Sequence, residues 1–126
     1  MLTRGEIENA IAEGMCRFER EFMGRGPTDI RAYLIDDLMV VRLTGILTEA
    51  EQQMVQTLQS EKGKDLLKQV RSHLIEMARP TMVAMVQEIT GVKVVSLHHD
   101  ICTTAAEEVV VFTLSEAPSF RDAKKR

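Results

Sequence analysis

The chain has 126 residues, of which 44% are hydrophobic and 28% are charged, and its formal net charge is −3. This length favours a single globular domain, residues 1–126, with one core, and the composition excludes disordered and fibrous classes. Binding to phosphate backbones draws on a concentrated basic surface, whereas the basic run here is the terminal Lys124–Arg126, which we expect to be solvated. Nucleic acid is therefore not an expected partner.

Membrane and redox features are weak in this sequence. The start of the chain becomes polar within a few residues, without the apolar core of a secretory signal. No window approaches the ~18 uninterrupted apolar residues of a spanning helix, so direct membrane insertion is not expected. Cys16 and Cys102 have no zinc or redox spacing and are interpreted as ordinary buried thiols in a reducing compartment. We therefore expect a cytoplasmic protein.

The first predicted element is an amphipathic helix over about residues 4–22. Thr3 followed by Glu6 fits a capping box, and the segment Gly24–Pro27 ends the helix because glycine tolerates the left-handed region and proline cannot continue a helix. The apolar stripe is formed by Ile7, Ile11, Met15, Phe18 and Phe22. The other faces are predicted to be solvated and carry Glu8, Glu13, Arg17, Glu19, Arg20 and Glu21.

A hairpin and two helical patterns follow. The β-rich runs Ile30–Ile35 and Leu38–Leu43 flank Asp36-Asp37, which predicts a two-residue turn, and aspartates there are more typical of turn formers than of a metal site. Thr48 with Glu51 predicts a capped helix over about residues 49–58, and Ser60 can cap the next one. Its apolar pattern continues to Gly91 across Pro80, so we expect a kink or two abutting helices near Ala78–Pro80.

The last predicted element is a second hairpin that ends at Leu114. In its first strand, Val92–Ile101, side chains alternate between the two faces of the sheet. One face receives Val95, Leu97, His99 and Ile101, and the other receives Val94, Ser96, His98, Asp100 and Cys102. The two adjacent histidines therefore point in opposite directions.

The element order α-ββ-αα-ββ predicts an α+β fold with two layers, in which an antiparallel sheet of two hairpins packs with three to four helices. The ordered core is predicted at about residues 4–115, and residues 116–126 form a polar tail. Val109–Val111 and Leu38–Val41 put apolar side chains on both faces of their strands. Because a sheet with two apolar faces needs two covers, we predict a homodimer.

Few residues suggest chemistry. His98 and Asp100 are same-face neighbours, so the carboxylate can orient the imidazole or raise its pKa, but two ligands fall short of a zinc site and no metal is predicted. The sequence contains no nucleophile elbow, Walker loop, dinucleotide fingerprint, CxxC or HExxH motif, so no catalytic residue or cofactor is predicted. Arginines from several elements, namely Arg25, Arg31, Arg42, Arg71 and Arg79, are interpreted as surface ion pairs or as a convergent anion site.

Several segments together resemble the MpsC-like family, over about residues 4–115. They are Gly24–Pro27, Leu43–Thr48 with Glu51, Ala78–Pro80, Thr90–Val94, Leu97–Ile101 and Val111–Leu114. The resemblance includes the histidine-x-aspartate pair His98 and Asp100. Cys102 stands where the family is expected to have serine, and the following turn lacks the expected glycine, so no catalytic role is transferred to Cys102.

The family takes its name from a membrane-potential-generating system whose other components are membrane proteins linked to cation and inorganic-carbon uptake. The resemblance therefore implies a bacterial, non-enzymatic, soluble binding or regulatory module that serves as an accessory component of such a transport system. The alternative is a small-anion or nucleotide-binding domain, enzymatic or not, that uses Arg25, Arg79, His98 and Asp100.

Overall fold

The structure, a computed structural model, describes residues 1–57 and 60–122. The described elements, in chain order, are α1 (Arg4–Met23), β1 (Asp29–Ile35), β2 (Leu38–Thr44), α2 (Glu49–Thr57), α3 (Ser60–Thr90), β3 (Val94–Cys102) and β4 (Glu107–Leu114). The predicted α+β class and the order α-ββ-αα-ββ are confirmed. The prediction for Lys124–Arg126 lies outside the described residues, as does the capping side chain of Ser60.

The four strands form one antiparallel sheet in the order β1-β2-β4-β3. Each hairpin is local, and the two hairpins meet where β2 pairs with β4, with Val40 opposite Val111. The first turn is the predicted Asp36-Asp37 pair, and Asp36 adopts a φ of 54°, which aspartate tolerates better than most residues. β1 and β3 are therefore the edges of the sheet.

Helix α1 begins and ends as predicted. Thr3 Oγ1 accepts the Glu6 N–H at 3.1 Å, and Glu6 Oε1 accepts the Thr3 N–H at 2.9 Å. The helix ends at Gly24, which has a φ of 89°. The prediction for Phe22 was wrong, because this ring is 46% exposed where Phe18 is 5% exposed. Phe22 lies in the last turn, lining a surface groove with Pro80 and Met85 of α3.

Helix α3 runs unbroken through Pro80, so one proline-containing helix replaces the two abutting helices that the sequence allowed. Proline removes one backbone donor at an exposed position, while Ala78 and Met82 on either side are buried. Burial of the helix on both sides of Pro80 compensates for the missing bond. None of the helices that the structure describes is long and apolar enough to cross a bilayer.

The core lies between the helices and one face of the sheet. Its members are buried apolar residues of α1, α3 and all four strands, together with Ile46 and Leu47 after β2. α1 packs over β1, α3 packs over β3, and α2 packs mainly on α3. At one sheet edge the Leu34 N–H donates to Glu8 Oε2 at 2.8 Å, so α1 occupies a backbone donor of β1 that would otherwise invite another strand.

Strand β3 contains an irregularity that changes one predicted orientation. The register with β4 shifts between Val94 and Ser96. Leu97 and Ile101 face the core as predicted, but Val95 is 67% exposed and does not share their environment. A bulge adds one residue to a strand, which breaks the alternation on which the prediction for Val95 depended.

The segment after β4 returns to the beginning of the chain. The Arg121 N–H donates to the Leu2 carbonyl at 2.8 Å, and the Arg121 guanidinium contacts the Met1 carbonyl and Glu6. Pro118 in this segment is buried. Part of the stretch predicted as a polar tail is thus held against α1.

Candidate functional site

The described fold leaves one face of the sheet, the one that points away from the helices, open to a partner, and we call it the open face. Its residues follow from the strand registers: Asp29, Arg31, Tyr33 and Ile35 of β1, Leu38, Val40, Arg42 and Thr44 of β2, Glu107, Val109, Val111 and Thr113 of β4, and Ser96, His98, Asp100 and Cys102 of β3. Each of these residues is half-buried or exposed, whereas their neighbours on the helix side are mostly buried. One layer of helices therefore covers one side of this sheet.

The open face is apolar at one end and charged at the other. Tyr33, Val40 and Val111 lie side by side in one cross-strand row, and Ile35 and Leu38 lie in the next row. At the other end Arg42 Nε lies 2.6 Å from Glu107 Oε2, and Arg31 Nε lies 3.2 Å from Asp29 Oδ2. Exposed apolar area of this kind on a stable domain is typical of interaction surfaces.

His98 and Asp100 share the open face, as predicted, while His99 points toward the helix side. Asp100 Oδ1 lies 3.1 Å from Lys68 Nζ of α3, and it also accepts the Ile101 N–H at 2.9 Å. The Lys68 ammonium first, and then the Ile101 N–H, lower the pKa of Asp100 below its ordinary value. Asp100 thus remains ionised and ties the sheet edge to α3.

Arg79 belongs to a different cluster. Its Nε and Nη2 donate to the two carboxylate oxygens of Glu76 at 3.0 and 2.8 Å, one helical turn away on α3. His99 Nε2 lies 3.1 Å from Glu76 Oε2. The bond from Arg79, followed by that from His99, lowers the pKa of Glu76 to about 2. Arg79 is therefore paired beside His99 and not beside His98.

Arg25 occupies a third place. Its Nη1 donates to the Leu47 carbonyl at 2.9 Å, and Gln52 Nε2 donates to the same carbonyl at 3.3 Å. The structure thus places His98 and Asp100 on one face of β3 and gives Asp100, Arg25 and Arg79 separate partners. Ligand binding by these four residues stays a prediction.

Three charged side chains that the sequence analysis did not combine are buried in the core and interact electrostatically, and we call them the buried charge cluster: Glu19 of α1, Arg71 of α3 and Glu108 of β4. Their exposed fractions are 1%, 2% and 2%. Arg71 Nη2 lies 3.6 Å from Glu19 Oε1 and donates to the Ile46 carbonyl at 3.2 Å. Within the described part of the chain, Glu19 Oε2, Arg71 Nε and Glu108 Oε1 have no hydrogen-bond partner.

Burial dominates the electrostatics of this cluster. It raises the pKa of Glu19 to about 7, against the opposing effect of Arg71 and with a further rise from Glu51. Burial also raises the pKa of Glu108 to about 7, with the charge of Glu19 adding to the rise and Arg71 opposing it. Burial therefore favours a protonated state of this carboxyl pair at higher pH than for an exposed glutamate.

The predicted solvation of Glu19 was wrong, because Glu19 lies one turn after Met15 and beside Phe18, on the buried side of α1. The sequence did contain a signal for the cluster. Glu108 alternates with Val110 and Phe112 at core-facing positions of β4, and Arg71 follows Leu67 by one helical turn. Charged residues at apolar positions of two patterns indicate a buried ion cluster.

The two cysteines differ in exposure and are both free. Cys16 is half-buried, whereas Cys102 is exposed at the end of β3, so the prediction of a buried thiol was wrong for Cys102. Its position on the open face at a sheet edge explains the exposure. Across residues 1–57 and 60–122, no three His, Cys, Asp or Glu side chains come together in a way that could hold a metal ion.

Comparison with known proteins identifies a matching family and a relative of this chain. A family described as the Na+-translocating membrane potential-generating system (MpsC) matches residues 3–116. A protein of Bacillus subtilis (strain 168), named the uncharacterized protein YbcI, is 34% identical over 112 residues, which cover 89% of this chain and 88% of that protein. No solved structure gives a significant match.

Proposed function

The chain belongs to the MpsC family, and from this premise we propose that it is a cytoplasmic, non-enzymatic binding module. The module dimerises through its open face and serves as an accessory component of a membrane system that transports cations or inorganic carbon. The observation that carries the proposal is the open face, an apolar sheet surface flanked by paired charges. Burial of such a surface against a partner lowers the free energy, because apolar area is removed from water.

The distribution of charge on the open face supports a second copy of the chain as one occupant. In one cross-strand row Arg31 and Arg42 lie on the β1 side, and Asp100 lies on the β3 side. A two-fold axis that runs along the strands, between two stacked faces, places β1 of one copy over β3 of the other. That arrangement puts arginine over aspartate twice, as an isologous interface requires.

The size of the face sets an expectation for the strength of this dimer. Four strands at a spacing of about 4.8 Å, each with about seven residues rising about 3.3 Å, give a flat footprint of roughly 440 Å². Standard interfaces bury about 800 Å² of accessible surface on each partner. The accessible area of the open face exceeds its flat footprint because side chains project from it, but the contact still lies at the small end of stable interfaces. We expect association that depends on concentration in the micromolar range.

Light scattering over a concentration series tests the dimer. The wild-type protein is expected to approach twice its monomer mass of 14.2 kDa as concentration rises. Tyr33→Asp places a charge in the apolar row of the open face and is expected to yield a monomer. Met77→Asp is the matched control, because Met77 is also exposed but lies on α3 in the helix layer. A wild-type monomer throughout the series removes the dimer from the proposal.

Affinity capture tests the accessory role separately. The tagged protein is mixed with membranes under crosslinking, and we expect recovery of a transport-system component with the wild type and with Met77→Asp. Loss of that component with Tyr33→Asp would assign its binding to the open face. Capture that recovers no membrane transport protein in repeated crosslinking experiments overturns the accessory role, whatever the oligomeric state.

A further inference from the structure

The buried charge cluster carries an inference that does not depend on the proposed function. It joins three elements that are distant in the chain, and its side chains are almost completely removed from solvent. Through the bond from Arg71 to the Ile46 carbonyl it also holds the connection between β2 and α2. Arg71 of α3 acts electrostatically on both Glu19 and Glu108. Glu108 also experiences the charge of Glu19, and Glu19 that of Glu51 in the first turn of α2.

Simple charge counting shows what this cluster needs. Two ionised carboxylates and one guanidinium leave one negative charge in the core, and Glu51 adds a further negative field. An unpaired charge in the protein interior is strongly unfavourable, because the interior solvates it far less well than water does. One proton on the carboxyl pair restores neutrality.

The hydrogen-bonding inventory leads to the same conclusion. Glu19 Oε2 and Glu108 Oε1 are acceptors that have no partner among the described residues. An ionised carboxylate is an acceptor only, so two of them cannot satisfy each other. Protonation of one of them replaces a buried charge with a neutral group and adds a hydrogen-bond donor, which is the less costly state in the core.

We propose that Glu19, Arg71 and Glu108 form a buried binding site for one proton, and that loss of this proton loosens the segment 45–57, which Arg71 holds at the Ile46 carbonyl. The segment comprises the end of the β2 connection and helix α2, whose main packing partner is α3. When the proton leaves, the added negative charge beside Arg71 competes with the Ile46 carbonyl for the guanidinium, and the bond that holds this segment weakens.

The sign of the linkage follows from the direction of the shift. The folded protein holds the proton more tightly than the unfolded chain, in which the carboxyl pKa is the ordinary 4.5. The contribution of these carboxyl groups to the free energy of unfolding is therefore full below about pH 4.5 and falls as the pH rises toward about 7. Above that range it no longer changes with pH. One excess proton in the folded state lowers the folded-to-unfolded ratio by up to about tenfold per pH unit within the window.

Urea unfolding at closely spaced pH values from 5 to 8 tests the site. Glu108→Gln places a permanently neutral donor in the cluster. As the pH approaches 7, the folded-to-unfolded ratio of this variant is expected to rise relative to that of the wild type by up to about tenfold per pH unit. Glu13→Gln is the control, since Glu13 is exposed on the same helix as Glu19, and its profile is expected to run parallel to wild type. Parallel profiles for wild type and Glu108→Gln overturn the proton site.

Carbon NMR of the glutamate carboxyl groups tests the same site in the wild-type protein, whether or not Glu108→Gln folds. The Glu19–Glu108 pair is expected to lose its last proton well above the titration of the other glutamates, seen as a high-pH step in the signal of at least one of the two. Titration of both together with the exposed glutamates rejects the site.

Amide hydrogen exchange tests the second half of the proposal. After correction for intrinsic rates, amides in 45–57 are expected to lose protection between pH 6 and pH 8 more than those of β4, and Glu108→Gln is expected to abolish this difference. Equal changes in both regions would reject the loosening of the segment.

Discussion

Gly45 packs directly against Thr28, and this contact leaves no space for a side chain on residue 45. A Cβ built there would collide with Thr28 Oγ1 and Cβ. Gly45 also has a φ of 65°, in the left-handed region that favours glycine. Thr28 is itself held in place, because its N–H donates to the Thr44 carbonyl at 2.8 Å. The chain after β2 therefore reaches the buried charge cluster through a position that only glycine fits.

Gly45→Ala is expected to lower the free energy of unfolding by more than about 2 kcal/mol, since the left-handed conformation alone costs alanine about 1–2 kcal/mol and the collision adds to it. Gly24→Ala is the matched control, because Gly24 has a φ of 89° but open space around its Cβ position. It is expected to lose only the conformational part, about 1–2 kcal/mol. Urea unfolding measures both, and equal losses would contradict the close contact with Thr28.

The two phenylalanines of α1 are expected to differ strongly in their contribution to stability. Phe18 is 5% exposed and Phe22 is 46% exposed, although their ring centroids are 4.7 Å apart. Phe18→Ala is expected to cost about 3–5 kcal/mol, as for other buried aromatic residues, and Phe22→Ala about 1 kcal/mol. Denaturant midpoints compare the two variants, and similar losses would place Phe22 in the core after all.

The titration of Glu76 reports on its two partners. A folded-state pKa near 2, against an ordinary 4.5, means that Glu76 favours the folded state above pH 4.5 and loses this contribution as pH falls toward 2. Arg79→Gln is expected to move the carboxyl titration of Glu76 upward more than His99→Gln does, because the bond from Arg79 has the larger effect. Carboxyl NMR measures the midpoints. An unchanged midpoint in Arg79→Gln would contradict the pairing.

The predicted anion site can be tested by thermal shift with phosphate, bicarbonate and nucleotides. A ligand at one hundred times its Kd adds ~2.7 kcal/mol to the stability of the folded protein. If His98 contributes to that site, His98→Ala removes the shift, while His73→Ala, which changes an exposed histidine on α3, preserves it. A shift that survives His98→Ala rejects His98 as a ligand residue, and the absence of a shift with every anion rejects the site.

The parts of the fold that sequence could predict depend on local chemistry. The capping boxes Thr3–Glu6 and Thr48–Glu51 form with bonds of 2.9 and 3.1 Å each, because both partners lie within one helical turn. The two-residue turn at Asp36 follows equally from its own residues. These features need no information about distant segments.

The parts that sequence could not predict depend on distant neighbours. Glu19 belongs to a run of charged residues, and only the position of α3 shows that it faces Arg71. Of the candidate site residues, His98 and Asp100 were placed together by alternation, a local rule. The pairing of Arg79 with Glu76 is also local, since the two lie three residues apart on α3, whereas the partner of Arg25 lies 22 residues away in the loop after β2.

The pairing of β2 with β4 sets a kinetic condition on folding. Arg42 and Glu107, joined across this pairing, are 65 residues apart in the chain, whereas each hairpin closes within a few residues of its turn. Closing a loop of that length costs roughly 4 kcal/mol of chain entropy before any contact compensates it. Each half of the chain can thus form its own helix and hairpin early, and the rate of folding is expected to be limited by the encounter of β2 with β4.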